Sequence, residues 1–234
     1  MQIKNSVVLV TGANRGLGQA FVNALLAAGA AKIYAAARDP ASITLQGVTP
    51  IQLDVTNAAD IAAAAALATD VTLLINNAGI SRGSPLLAAG SADAARAELE
   101  TNVFGPLALS QAFAPILKAN GGGAIVNVLS VLSWLNIAGA ATYSVSKSAA
   151  WSLTNGLRGE LHAQGTQVVG VHVGFMDTDM ASGTPGPKAA PLDVARQTLA
   201  ALEAGQDEVL ADELSRGVKQ GLSAQPGVYL GQAG

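Results

Sequence analysis

Thr11-Gly-Ala-Asn-Arg-Gly-Leu-Gly18 stands between an apolar run, Val7-Val-Leu-Val10, and a stretch of amphipathic helical spacing over 17–28. A strand that breaks into glycines and reopens as a helix is the setting in which backbone alone holds a dinucleotide pyrophosphate. Gly12 lets the chain turn sharply out of the strand, Gly16 lets backbone approach a phosphate, and Gly18 lets the helix pack close to the sheet. The phosphates would then meet the positive end of that helix. No Lys-Ser or Lys-Thr closes the loop, so it is not a P-loop.

Outward from this loop, apolar runs of strand length recur at 32–37, 49–53, 71–75, 124–128 and 167–173, with a short last one at 208–211. Helical stretches lie between them at 58–68, 91–119, 143–164 and 192–203. This alternation predicts an α/β fold, a doubly wound parallel sheet with helices on both faces. Gly105-Pro106 should kink the long 91–119 segment. Residues 181–191, with Gly183, Pro185, Gly186, Pro187 and Pro191, carry too many breakers for regular structure and are expected to form a mobile loop that closes over the site.

Composition narrows the function. With 234 residues, 50% hydrophobic and 12% charged, the chain suits one domain over 1–234. A net charge of −3 lacks the basic footprint that nucleic acid or anionic lipid requires. Cys is absent, so neither disulfides nor thiolate chemistry enter. The N-terminus shows no signal peptide, and no apolar run reaches the ~18 residues of a membrane span, so a cytoplasmic chain is expected. His162 and His172 read as structural, and without clustered ligands no metal site is expected.

Tyr143 and Lys147 are four positions apart and share one face of a helix. A phenol titrating near pH ~10 must lose about three units to act as a base at neutrality, and a nearby ammonium supplies part of that shift. Ser130 ends the fifth strand at the carboxyl edge, where its hydroxyl can hydrogen-bond a substrate oxygen. Asn102, just before Gly105-Pro106, can bend a helix and hold a water, or be a plain surface residue. Cofactor choice turns on Ala36-Ala37-Arg38-Asp39 at the end of the second strand. Arg38 with Arg15 can clamp a 2′-phosphate, which favours NADP(H), while Asp39 keeps NAD(H) in play; both arginines can also be mere surface charges. Val131, Leu132, Trp134, Leu135, Phe175, Met176 and Met180 lie in segments bordering the substrate and suggest an apolar pocket for a hydrophobic or aryl ketone. Gly79-Ile-Ser81-Arg-Gly83 spells a hydrolase nucleophile elbow, but Ser84-Pro85 follows where a helix should open.

Taken together these residues resemble the short-chain dehydrogenase/reductases, from the first strand to about residue 211. TGANRGLG is similar to that family's TGxxxGxG loop, Asp54-Val55 to its adenine-flanking pair, and Asn76-Asn77-Ala78-Gly79 to its NNAG segment. The resemblance implies a Rossmann-type domain and a catalytic tetrad of Asn102, Ser130, Tyr143 and Lys147. It implies cofactor contacts from Gly12, Asn14, Arg15, Gly16, Leu17, Gly18, Arg38, Asp54, Val55, Asn77, Ala78 and Gly79. Tyr143, Lys147, Gly174, Met176 and Thr178 complete that set, Thr178 lying near the cofactor's carboxamide and phosphates. Ser130, Leu132, Trp134, Tyr143, Phe175 and Met180 would meet substrate. The family's Pro-Gly after the sixth strand is Val173-Gly174 here, which removes a rigid φ on the nicotinamide side. The implied activity is reduction of a ketone or aldehyde by NADPH, or the reverse alcohol oxidation, in a homodimer or homotetramer built partly on the Tyr143 helix. The competing class is a non-catalytic NADP(H)-binding regulatory protein.

Overall fold

Val7–Thr11 (β1), Lys32–Ala37 (β2), Thr49–Gln52 (β3), Leu73–Asn76 (β4), Ala124–Val128 (β5), Gln167–His172 (β6) and Glu208–Leu210 (β7) form one parallel sheet. The computed structural model describes residues 1–183 and 186–231. Among the described residues the strand order is β3-β2-β1-β4-β5-β6-β7. The order reverses between β1 and β4, and a crevice therefore opens at their carboxyl ends. The glycine loop leaves β1 there and Asn77 leaves β4 beside it.

Alternation along the strands decides what packs where. Val8 and Val10 face one side, with Phe21 and Leu25 of helix α1 (Gly16–Ala27) and Leu199 and Leu202 of α6 (Pro191–Glu203). Leu9 faces the other, with Ile61 of α2 (Ala58–Leu67), Phe113 of α4 (Gly105–Ala119) and Leu157 of α5 (Ala141–Leu161). Both faces are covered, so the sheet is doubly wound as expected. A Cβ at Gly18 would sit 2.0 Å from the Gly12 carbonyl oxygen, so only glycine lets α1 approach β1 this closely. Among the described residues no helix is long and apolar enough to cross a membrane.

Three local features differ from expectation. The 91–119 segment is not one kinked α-helix: α3 (Ser91–Leu99) widens into a π-turn over Glu100–Phe104 before α4 begins. A further helix, α7 (Glu213–Gly221), follows β7 where no element was expected. In the expected loop at 181–191, residues 184–185 lie outside the described residues; Ala189 is tied back to Phe175 and Asp177, and Pro191 already belongs to α6.

Candidate active site

The first turn of α1 is uncapped and carries no acid. Of the seven α-helices among the described residues, only α2, capped by Asn57, and α7, capped by Asp212, carry a side-chain cap. Helix α1 differs from the other uncapped ones in opening directly from the glycine loop. Open amides at a positive helix end suit an anion. Gly12 and Gly16 take φ of +63° and +53°, and a Cβ on Gly16 would press within 3.3 Å of the Thr178 methyl. The segment after β6 thus closes over the glycine loop with room for backbone only. Asn77 braces the loop: its side-chain amide donates to the Thr11 and Gly12 carbonyls at 2.8 and 3.3 Å, and Thr11 Oγ1 accepts the Asn77 and Ala78 amides. Asn14 and Gly79 are half-buried and Leu17 is buried.

Arg15 and Arg38 are both exposed. Arg15 pairs with Asp179 at 3.1 Å, linking the glycine loop to the segment past Thr178. Arg38 lies near enough to Asp54 to lower its carboxyl, after the larger effect of the Thr56 hydrogen bonds. Asp39 caps its own turn, accepting the Ala41 amide at 3.0 Å. Val55 is buried against Gly105, where a Cβ would meet it at 3.0 Å.

Lys147 is 6% exposed; its ammonium donates to the Val128 carbonyl at 2.8 Å and lies 5.6 Å from the centre of the Tyr143 ring. The helix spacing therefore does bring these groups to one side, at the carboxyl end of β5. Burial pushes the Lys147 ammonium down to about 8. The Tyr143 phenol is raised above the usual tyrosine value by burial first and by the charge of Glu98 second. This corrects the expectation of an ammonium-lowered phenol: in the protein alone, desolvation outweighs the lysine. A raised phenol stays protonated at neutral pH, the state that a proton donor needs.

Ser130 is buried, with its hydroxyl accepting the Leu132 amide at 3.1 Å and facing the Val173 carbonyl at 3.5 Å. Asn102 occupies the π-turn, a distortion often found at functional sites. Its carboxamide accepts the Ile80 amide and donates to the Ile80 carbonyl, both at 2.9 Å, and reaches Ser146 Oγ at 3.0 Å. Asn102 is therefore a buried tertiary anchor, not a surface residue. A cavity of about 10 Å³ lies between Asn76, Asn102, Asn127 and Lys147, which is room for roughly one water. Asn76 Oδ1, buried without a protein partner, is among its lining groups.

Of the expected substrate residues, Met180 is 60% exposed and Phe175 half-buried, whereas Leu132 and Trp134 are buried. Trp134 stacks on His172 at 3.8 Å between ring centres. Met176 packs on the core beneath. Gly174 donates its amide to Asp212 at 2.6 Å, and a Cβ there would strike Leu214 at 2.9 Å. Val173 is buried and accepts the Val131 amide at 2.9 Å, and Asp212 pins the next residue. Asp212 and Glu98 were not singled out from the sequence. Asp212 had a signal, an Asp preceding an acidic first turn. Glu98, fully buried with Oε1 accepting the Arg82 amide at 2.6 Å, had none.

Comparison with known proteins agrees with this geometry. Residues 6–187 match the family model for short chain dehydrogenase. The chain is 30% identical to dehydrogenase/reductase SDR family member 7B of Bos taurus, over 91% of this chain and 75% of that protein. It is 32% identical to the 3-oxoacyl-(acyl-carrier-protein) reductase FabG of Vibrio cholerae, over 77% of each. Among solved structures, a short chain dehydrogenase from Burkholderia cenocepacia J2315 in complex with NADP superposes with a TM-score of 0.92 at 45% identity, covering 97% of this chain and 96% of that one. With the glycine loop, the parallel sheet and the Tyr143–Lys147 helix all in their places, the chain belongs to the short-chain dehydrogenase/reductase family and is an oxidoreductase.

Proposed function

We propose that the protein reduces ketones or aldehydes with NADPH, reversibly, using Tyr143 as the proton donor. The observation that carries this reading is the buried Lys147 ammonium, 5.6 Å from the Tyr143 ring, at the carboxyl end of β5. The open amides of α1, the glycine cradle under Thr178 and the absence of an acid in that first turn fit a dinucleotide. When bound, the nicotinamide supplies hydride chemistry.

The chain's own residues do the rest. Tyr143, a phenol that burial raises further above neutrality, carries its proton at neutral pH and would release it to a carbonyl oxygen. Ser130 Oγ, fixed in direction by the Leu132 amide, would donate to that same oxygen and favour charge developing there. Lys147, a cation below about pH 8, faces the phenol and the cavity that leads to Asn102. That cavity would carry the replacement proton toward Tyr143.

Arg38 and Arg15 support preference for the 2′-phosphate. The exposed Arg15–Asp179 pair is worth only about 0–1 kcal/mol, so its guanidinium is readily turned to a phosphate. Asp39, engaged as a cap, is a poor partner for a ribose hydroxyl. NAD(H) remains usable by the same cleft. The NADP found with the B. cenocepacia relative favours the same choice. Met180, Phe175 and Leu132 favour a hydrophobic or aryl substrate. A homodimer or homotetramer would form partly on α5.

The test is absorbance at 340 nm with NADPH or NADH and a ketone series. Turnover should be faster with NADPH and with aryl ketones, and Tyr143→Phe should lose at least about a hundredfold in kcat while still binding NADPH. Equal efficiency with NADH, preference for small charged ketones, or an active Tyr143→Phe each removes the corresponding part.

A further inference from the structure

His172, the last residue of β6, is 1% exposed and has no part in the chemistry above. Its Nδ1 lies 3.1 Å from the backbone carbonyl oxygen of Ser130. A carbonyl oxygen only accepts, so Nδ1 carries the proton and Nε2 is left as a lone pair. That lone pair stands 3.8 Å from a Glu208 carboxylate oxygen, a separation suited to two acceptors that do not bond. Glu208 is itself satisfied by Lys219 at 2.8 Å. The Lys219 ammonium lies 5.0 Å from the centre of the Trp134 ring, and Trp134 stacks on the imidazole at an interplanar angle of 17°. Trp134, His172, Glu208 and Lys219 thus close a ring drawn from the turn after β5, from β6, from β7 and from α7.

The ring grips one residue. Ser130 is held through its carbonyl by His172, while its neighbour Val131 donates its amide to Val173 at 2.9 Å. The Ser130 hydroxyl takes its direction from the Leu132 amide two residues on. Movement of the Ser130 carbonyl therefore moves the hydroxyl, and a misplacement near 1 Å at a reacting centre costs on the order of a hundredfold. We infer that His172 is a positioning residue for the Ser130 hydroxyl, acting through a neutral, Nδ1-protonated imidazole clamped between Trp134 and Glu208.

Burial pushes the imidazole down to about 4, outweighing the Ser130 carbonyl and Glu208, which raise it, with Lys219 and Lys147 adding to the lowering; the ring is neutral at pH 7. The inference rests on the proposed role of Ser130, and the experiment separates the two. With the full chain, NADPH and acetophenone, kcat is compared for wild type, Ser130→Ala, His172→Asn and His172→Leu, alongside NADPH affinity and Tm. Asn places an amide donor where Nδ1 was; Leu removes the donor at similar bulk. His172→Leu should lose about 10- to 100-fold in kcat with NADPH affinity unchanged, and His172→Asn should stay within about threefold of wild type. If His172→Leu does not fold, His172→Gln, whose donor falls at the Nε2 position, replaces it with the same expectation.

A second readout needs no turnover. With only His162 and His172 in the chain, long-range nitrogen–proton spectra assign the tautomer directly, the His172 signals being those lost in His172→Asn. A wild-type Nδ1–H signal at pH 7 is expected. An Nε2–H tautomer or a charged ring, wild-type kcat in His172→Leu, or equal damage from Asn and Leu overturns the inference. An active Ser130→Ala instead overturns the underlying role of Ser130.

Discussion

Lys147→Met separates function from stability at one position. The ammonium is pushed down from 10.5 to about 8 by burial, so keeping it charged in the folded protein at pH 7 costs about 3 kcal/mol. Methionine keeps an unbranched chain of similar length and removes that cost, but it leaves the Val128 carbonyl without its donor, a loss of about 1–3 kcal/mol. At pH 7 the variant should therefore match wild type or exceed it by up to about 2 kcal/mol, or up to about 8 °C in Tm for a chain of this size.

The pH dependence is the sharper signature. Between about pH 8 and 10.5 the unfolded lysine binds more protons than the folded one, so wild-type stability rises with pH through that window. Below pH 8 the full penalty is present; above 10.5 it is gone. His172, the group that the Lys147 charge also shifts, titrates well below this range, so the variant's advantage should fall by about 3 kcal/mol from pH 7 to 10.5. Paired thermal melts of the ligand-free proteins measure this, while kcat should drop by at least about a hundredfold. A Tm difference that stays constant across that range, or a variant that turns over normally, refutes the reasoning.

Gly16→Ala should weaken NADPH binding by about tenfold, because the methyl meets Thr178 at a positive φ of +53°; fluorescence titration checks it. Gly18→Ala, with its methyl 2.0 Å from the Gly12 carbonyl, should lower Tm steeply or prevent soluble expression. Arg38→Ala should cut the NADPH-over-NADH ratio of kcat/KM by about 10-fold or more, with NADH kinetics little changed. Asp212→Ala should destabilise the fold by about 2–3 kcal/mol in urea unfolding, since it removes the acceptor for both the Gly174 and Ser215 amides.

Much of the fold could be read because its signals are local. β2 and β5 are apolar runs bounded by breakers and were placed to the residue; the glycine loop and the Tyr143–Lys147 spacing follow from backbone geometry alone. The π-turn could not be read, because what fixes it is tertiary: Asn102 bonds to Ile80 and Ser146, 22 and 44 positions away in sequence. The state of Tyr143 is hidden from the sequence for a related reason. A phenol's titration depends on how much water the fold removes and on Glu98, whose burial no pattern around it announces. Helix α7 gives a weak sequence signal because its apolar positions are few, although Asp212 stands at its cap. His172 was correctly placed in a buried strand, but its partners Glu208 and Lys219 come from elements that meet only in the folded chain.

One carboxylate does two jobs at the far end of the sheet: Asp212 starts α7 through the Ser215 amide and holds the Gly174 amide at the cleft. The surface helix and the segment after β6 are thereby mechanically yoked. Anyone who grafts, shortens or re-registers that helix to change solubility or assembly will also tug on the segment that follows β6, so engineering there should preserve the Asp212 side chain and the length of the link back to β7.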